Sequence, residues 1–431
     1  MRFFNKKIHF VGIGGISMSA LAFFVLREGA IISGSDTQQN EKTRLLTKNG
    51  ARVFFGHKKE NVLGAEIVVF NGAIGNENEE LKEARKQNLT ILRREELLAE
   101  ISSEYKTQIA VSGTHGKSTT TAMTACVLSG LNPTVHNGAN ILGANNNFIF
   151  GGKEIFLTEA CEYKKSFLSL NPDIVVITNI DADHLDCYKD LSEIKKTFQF
   201  FADKASLLIK SNDDINSREI KSKNILTFGI HKLSDVMAEN INFAQNGMSF
   251  DLVYKNGREN VFLNCFGKHN IYNALTAAAV GISQGVNLNE IAQNLKNYKG
   301  IEGRFQKIGE FLNRPIIYDY AHHPTEIKTT IEMAKLTFKK PFFVFQPHTF
   351  SRTLALFDEF VAVLKPLSCA LFETYSAREK PIKNGKASDL AHQVHKKYFK
   401  NIENLKNFLQ KTAFDAIILV GAGDLQNRFL K

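Results

Sequence analysis

The run Gly113-Thr114-His115-Gly116-Lys117-Ser118 constrains this chain more than any other stretch. It follows a short apolar strand, Gln108 to Val111, and the spacing predicts a helix directly after it. Backbone N–H groups in such a loop, with a helix dipole behind them, form a cradle for phosphate. A lysine at this point can reach terminal phosphates, and a hydroxyl such as that of Ser118 can ligate magnesium. Val111 stands where the longer G-x-x-x-x-G-K-[ST] pattern has its first glycine, so the loop is a shortened form. A glycine turn opening an ordinary helix is the alternative. The strand, loop and helix context favours phosphate binding and requires a parallel α/β sheet.

The same alternation extends in both directions. Upstream, Ile8 to Val11 reads as a strand, followed by Gly12-Ile13-Gly14-Gly15-Ile16-Ser17 and an apolar helix from Met18 to Leu26. A second strand, Ala30 to Ser35, ends in Asp36, and Val53 to Phe55 and Glu66 to Phe70 continue the series. Glycines in the first turn let the backbone approach a pyrophosphate, although Ser17 occupies the place of the third glycine in G-x-G-x-x-G. A tight packing turn fits those residues nearly as well. The polar stretch Ser102 to Thr107 links this region to the next. Strands at Glu154 to Thr158, Ile174 to Thr178 and Ser206 to Ile209 follow the phosphate loop. Near Gly303-Arg304-Phe305 a third series begins, with strands Pro315 to Tyr318, Phe342 to Phe345, Cys369 to Phe372 and Ala416 to Val420. The expected architecture is three tandem α/β domains at 1–105, 106–302 and 303–431. The first is Rossmann-like, the central one P-loop ATPase-like and the last Rossmann-like.

Charge and composition exclude several classes. The net charge of +10 would suit an anionic partner. The lysines are dispersed, as in Lys195-Lys196 and Lys339-Lys340, so they read as a solvated surface and no nucleic-acid patch is expected. The longest apolar runs, such as Ala20 to Leu26, fall far short of the roughly 20 residues that span a bilayer, so no membrane insertion is expected. The N-terminal residues lead straight into a strand, which does not read as a leader. Cys126, Cys161, Cys187, Cys265 and Cys369 are scattered without a C-x-x-C pair, as a reducing compartment permits. The expected location is cytoplasmic.

Two further positions suit a cation. Glu159 ends one strand of the central series, and Asp183-His184 follow another. Ligands gather beyond the carboxyl ends of strands in α/β sheets, so both would face the phosphate loop. Magnesium prefers oxygen donors, which favours Glu159 and leaves His184 equally readable as a structural residue. Asp181, Asp183 and Asp186 make the surroundings of His184 anionic.

These runs together resemble one family. Gly113 to Ser118, the run Thr178-Asn179-Ile180-Asp181-Ala182-Asp183-His184-Leu185-Asp186 and the helix opening Gly267-Lys268-His269-Asn270-Ile271-Tyr272-Asn273-Ala274 are similar to the Mur ligases. Arg304 and Asp319, in Tyr318-Asp319-Tyr320-Ala321-His322-His323-Pro324, fit as well. These enzymes build the peptide stem of bacterial peptidoglycan precursors, and the likeness covers essentially the whole chain in order. His322-His323-Pro324-Thr325-Glu326, Gln346 to Arg352 and the opening Val11 to Ser19 resemble the member acting first. That enzyme joins L-alanine to the lactyl carboxylate of UDP-N-acetylmuramic acid. A muropeptide-recycling ligase and a folylpolyglutamate synthase are the nearest alternatives. A nicotinamide dehydrogenase would leave the Gly-Lys-Ser loop unexplained, and a non-catalytic ATP-binding regulator would not need the full set of matching residues.

The resemblance implies that ATP and Mg2+ are required and that the reaction passes through an acyl phosphate. It assigns ATP to Gly113, Thr114, His115, Gly116, Lys117, Ser118, Thr119, Asn270, Asn273, Arg304 and Asp319, and the metal to Ser118, Glu159 and His184. Lys117, His184 and Arg304 would be catalytic. Asn270 and Asn273, three apart on one helix face, would contact adenine, with helix capping and a packed polar contact as their plainer roles. Asp319 would take the ATP ribose from the third domain, so the domains would close on the nucleotide. Gly12, Gly14, Gly15, Asp36, His57 and Ala73 would hold the UDP moiety. His322, His323, His348 and Arg352 would receive L-alanine, with arginine gripping the carboxylate. The chain would be a monomer or a homodimer. Ser118 replaces the commoner threonine and keeps the hydroxyl. The run Glu159-Ala160-Cys161-Glu162-Tyr163 departs from the usual Asp-Glu-Ser after Glu-Ala, so Glu162 receives no role. Cys161 reads as a small packed residue or a redox-sensitive thiol. Lys117 itself is expected to be a solvated point charge until phosphate arrives.

Overall fold

The computed structural model describes residues 2–144, 146–183, 187–244, 247–377 and 379–430. Its strands form three sheets. The first holds β1 (Lys7–Val11), β2 (Ile31–Asp36), β3 (Arg52–Phe55), β4 (Ile67–Phe70) and β5 (Thr90–Arg93) in the order β3-β2-β1-β4-β5. Every neighbouring pair is parallel.

The second sheet contains β6 (Thr107–Ser112), β7 (Thr134–Ile141), β8 (Asn146–Ile149), β9 (Ile155–Glu159) and β10 (Ile174–Ile177). It continues through β11 (Leu207–Ser211), β12 (Ile225–Gly229), β13 (Val236–Ala244), β14 (Gly247–Tyr254) and β15 (Gly257–Leu263). The order is β15-β14-β13-β12-β11-β10-β6-β9-β7-β8. β10 reads Ile-Val-Val-Ile and all four residues are buried, as expected of a parallel strand covered on both faces. The third sheet, with β16 (Gln306–Phe311), β17 (Arg314–Asp319), β18 (Pro341–Phe345), β19 (Cys369–Phe372), β20 (Lys397–Phe399) and β21 (Ala416–Val420), runs β16-β17-β21-β18-β19-β20. Only β16 is antiparallel to its neighbour. The α/β class and the three sheets are those expected.

Contacts divide the chain into two compact units. One comprises Met1–Asn242, Ser249–Leu263 and His269–Lys299, and the other comprises Phe243–Met248, Asn264–Lys268 and Gly300–Lys431. The first unit therefore contains the first sheet and the second apart from Phe243–Ala244 of β13 and Gly247–Met248 of β14, and one apolar core joins the two sheets. The helix Ile16–Arg27 explains why. It has almost no polar face, and Met18, Leu21, Phe24 and Val25 are all buried. The Phe24 ring lies 5.3 Å from that of Phe148 on β8 and stacks 6.0 Å from Phe150. Among the described residues, no helix is long and apolar enough to cross a membrane.

Candidate active site

In the first unit, chemistry gathers around the turn between β6 and the helix Lys117–Val127. Gly113 has φ +133° and Gly116 has φ +81°, a left-handed region that favours glycine. A Cβ on Gly113 would overlap the Thr178 hydroxyl, and one on Gly116 would lie 2.6 Å from Asn273 Oδ1. The residues leaving β10 hold the loop in place. Thr178 Oγ1 donates to the His115 carbonyl at 2.8 Å, and Asn179 Oδ1 accepts from the His115 amide at 2.9 Å. The Asp181 amide donates to Thr114 Oγ1 at 2.9 Å, and His115 Nε2 stands 3.7 Å from Asp181 Oδ2. Part of the aspartate-rich run thus buttresses the loop. His184, Leu185 and Asp186 lie outside the described residues.

Lys117 is not solvated, contrary to expectation. Its side chain is 13% exposed, and Nζ donates to the carbonyls of Gly113 at 2.7 Å and Thr114 at 2.9 Å. Both carboxylate oxygens of buried Glu162 lie within 3.0 Å of it. Burial works against the ammonium, but the Glu162 charge outweighs it, and the lysine is pushed up to about 12. Glu162, to which the sequence assigned no role, is therefore the direct partner of the phosphate-loop lysine. Its own carbonyl accepts from the Tyr188 hydroxyl at 2.5 Å. Burial raises the pKa of neighbouring Cys161, which fits a packed thiol and not a reactive one.

Glu159 ends β9 and pairs in register with Val111 on β6, which brings its carboxylate to the root of the loop. Oε2 accepts from the Gly138 amide at 2.8 Å, and a Cβ on Gly138 would stand 2.6 Å from Oε1. One oriented carboxylate near the hydroxyl-bearing helix start fits magnesium, which takes few protein oxygens and completes its shell with water and phosphate. Among the described residues, no group of three or more His, Cys, Asp or Glu side chains could hold a metal. Ser118 and Thr119 are half-buried in the first turn of the helix. Asn270 and Asn273 are both buried. Asn273 Nδ2 donates to Asn270 Oδ1 at 3.0 Å and its Oδ1 accepts from Thr120 at 3.0 Å, so the pair ties the helix Lys268–Ser283 to the phosphate-loop helix.

At the end of β1, Gly12 has φ +82° and the Gly14 amide donates to Asp36 Oδ2 at 2.8 Å. Asp36 Oδ1 accepts from the Thr37 amide, and the Gly15 amide reaches back to the Gly12 carbonyl at 3.3 Å. His57 Nδ1 stands 2.9 Å from Ser35 Oγ and 3.0 Å from Glu80 Oε2. Burial would raise the Glu80 pKa, but His9, Ser35 and Asn61 outweigh it and bring it down to about 2. The Ala73 amide donates to its neighbour Asn71 Oδ1.

In the second unit, Asp319 ends β17 and is buried. Oδ1 accepts from the Ala321 amide at 2.9 Å and Oδ2 from Phe305 at 3.2 Å. Burial pushes its pKa up to about 6, against the pull of Arg304. The Arg304 guanidinium lies 3.8 Å from Glu326 and over the Tyr320 ring. His322 and His348 meet edge to face with 6.0 Å between ring centroids, and His348 stacks on Tyr375 at 5.5 Å. Burial lowers the pKa of both histidines, His348 to about 4. Arg352 Nη1 donates to the His348 carbonyl at 2.9 Å. His323 caps the helix Pro324–Thr337, its Nδ1 accepting from the Thr325 amide at 3.3 Å. An open cavity of about 350 Å³ beside Tyr375 is lined by Gln346, Glu373, Glu379 and Asp424.

Comparison with known proteins bears on this arrangement. Residues 7–106 match the family described as "Mur ligase family, catalytic domain", 111–281 match "Mur ligase middle domain" and 303–425 match "Mur ligase, glutamate ligase domain". The chain is 40% identical to a UDP-N-acetylmuramate–L-alanine ligase of Clostridium beijerinckii, covering 98% of this chain and 96% of the relative. It is 41% identical to the enzyme of that name from Clostridium kluyveri, with the same coverage. The crystal structure of UDP-N-acetylmuramate-alanine ligase from Thermotoga maritima superposes with a TM-score of 0.84 at 29% identity over 98% of each chain. A murein peptide ligase from Psychrobacter arcticus, at 21% identity, shares the fold with a TM-score of 0.74 over 99% of this chain and 98% of its own.

Proposed function

This chain belongs to the Mur ligase family, and from that premise we propose that it joins L-alanine to the lactyl carboxylate of UDP-N-acetylmuramic acid, converting ATP to ADP and phosphate. The observation that carries the chemistry is the β6 phosphate loop with Lys117 inside it and Glu159 on the adjacent strand. A substrate carboxylate oxygen attacks the terminal phosphorus of ATP, and ADP leaves. The amine of L-alanine then attacks the acyl carbon, a proton is lost from nitrogen, and phosphate departs. Lys117 offsets charge on the transferring phosphoryl group, where positioning and electrostatics supply most of the rate. Magnesium, held through Ser118 and Glu159, would let two anions approach each other.

Within the first unit, the Gly12–Gly15 turn, Asp36, His57 and the turn at Ala73 take the UDP moiety. Arg304 and Asp319 keep the nucleotide roles that the family resemblance implies, the phosphoryl group and the ribose. Arg352 and His348 grip the alanine carboxylate, and His322 walls the side-chain space. The bond from Arg352 to the His348 carbonyl, which holds the guanidinium beside the two imidazoles, supports this reading.

The test is ADP release measured with each substrate withheld in turn. Turnover should require UDP-N-acetylmuramate and L-alanine together. Preference for D-glutamate or for a murein peptide in place of L-alanine would overturn the assignment.

A further inference from the structure

One carboxylate of the second unit has no place in the machinery described so far. Glu379 lies in the segment that leaves β19 and also carries Tyr375. It is half-buried, and both of its oxygens are engaged by one short turn after β18. Oε1 accepts from Thr349 Oγ1 at 2.6 Å and from the Ser351 hydroxyl, while Oε2 accepts from the Ser351 amide at 2.9 Å. Burial works against this carboxylate, but the donors of Ser351 and Thr349 outweigh it and hold its pKa below the ordinary value.

The turn cannot set its own direction. Thr349 is the cap residue of the helix Phe350–Ala355, where a threonine ordinarily accepts from an amide of the first turn, yet its side chain caps nothing. Its hydroxyl proton goes to Glu379, and the Ser351 amide is satisfied by this same carboxylate, 28 positions away in sequence. A helix of six residues is too short to hold itself, so its orientation is imposed from outside. His348 precedes Thr349 and Arg352 follows Ser351, so the residues that Glu379 grips lie between the two proposed to receive L-alanine. Tyr375 fixes the entry to the turn, its amide donating to the Pro347 carbonyl at 2.9 Å and its ring stacking on His348. Among the described residues the Arg352 guanidinium bonds only to His348, so Glu379 holds the turn without neutralising the arginine.

We propose that Glu379 is a positioning residue for the amino-acid substrate: it clamps the turn at 349–351 so that Arg352 stands beside His348, and it sets the affinity for L-alanine without touching it. An arginine that grips a carboxylate through its planar fork depends on direction as well as charge, which is what the clamp supplies. The role rests on the amino-acid site proposed above.

The test is steady-state ADP release by the full chain, with the KM read for each substrate. Glu379→Ala should raise the KM for L-alanine about tenfold or more, since a misplacement of about 1 Å can cost 10²-fold. The KM for ATP and for UDP-N-acetylmuramate should stay within about twofold and kcat at saturating L-alanine should hold, as when binding common to ground and transition states is lost. Glu379→Gln keeps an acceptor for the two hydroxyls and should raise the L-alanine KM less, with the same selectivity; it supplies the reading if the alanine variant does not fold. Because Glu379 acts through Arg352, the variant carrying both Glu379→Ala and Arg352→Ala should fall well short of the product of the two single effects. Single effects that multiply, or equal rises in all three KM values, overturn the role of Glu379 and leave the proposed function standing. So does an unchanged L-alanine KM in Glu379→Ala, or in Glu379→Gln if only that variant folds. A wild-type chain whose ADP release does not depend on L-alanine overturns both.

Discussion

Replacing Lys117 should cost structure as well as activity, because the lysine and Glu162 form a buried pair. Raising the lysine from 10.5 to about 12 corresponds to about 2 kcal/mol favouring the charged folded form. Its folded pKa is above the unfolded value, so this contribution is complete below about pH 10.5 and is lost as pH rises toward 12. Removing one partner is more severe than removing both. Lys117→Met leaves the Glu162 carboxylate, 3% exposed, without its ammonium, which costs about 3–5 kcal/mol. Lys117→Met with Glu162→Leu should recover most of that and still be inactive. The chain has two units and is not expected to unfold in one step, so hydrogen exchange in the helix Lys117–Val127 is the suitable assay. The single variant should exchange roughly 100-fold faster or more at pH 7. Without the lysine, burial should raise the pKa of Glu162, so the carboxylate takes up its proton sooner as pH falls and the deficit should shrink toward pH 4.5. Equal protection in single and double variants, or a deficit independent of pH, would refute the buried-pair account.

Three further outcomes are expected. Gly138→Ala, whose Cβ would stand 2.6 Å from Glu159 Oε1, should displace that carboxylate and raise the magnesium needed for half-maximal ADP formation. A misplacement of about 1 Å can cost 10²-fold, so an unchanged magnesium curve would remove Glu159 from the metal site. Glu80, depressed to about 2, contributes stability present above about pH 4.5 and lost as pH falls through 2. Glu80→Gln should therefore flatten the acid limb of hydrogen-exchange protection around β1 and β2, and an unaltered limb would count against that linkage. Arg352→Ala should raise the KM for L-alanine at least tenfold, about 1.4 kcal/mol, while the KM for ATP moves little; equal rises would point to a general structural role.

Some of this was open to reading in the sequence and some was not. Gly116-Lys117-Ser118 after an apolar strand marked the loop, yet charge type alone made Lys117 look solvated. Its partner lies 45 positions away and arrives because β9 sets Glu159 beside Val111, a register no local pattern encodes. The joining of the first two sheets did leave a trace. Ile16–Arg27 lacks a polar face, and such a helix must be covered on all sides, here by Phe148 and Phe150. His323 carried a signal too, since Pro324 at the first helical position and Glu326 three residues after the cap form a helix start. Residue type drew it toward substrate binding, and backbone geometry gives its ring a capping bond as well. Gly138 offered no signal, because its requirement is the space occupied by a side chain 21 positions away.

What made the candidate site legible at all was topology acting through glycine. Gly12 follows β1, Gly113 follows β6 and Gly421 follows β21, each with positive φ. A Cβ on Gly421 would stand 2.5 Å from the Gln346 carbonyl, which follows β18, so these exits are crowded by neighbouring strand ends. Parallel strands place all their carboxyl ends on one edge, and the chain leaving that edge must turn sharply between neighbours. Polar residues at those turns cannot be buried in the sheet and face whatever binds there. A glycine directly after a buried β-branched run, followed by polar side chains, therefore marks a strand exit and a ligand-facing turn together.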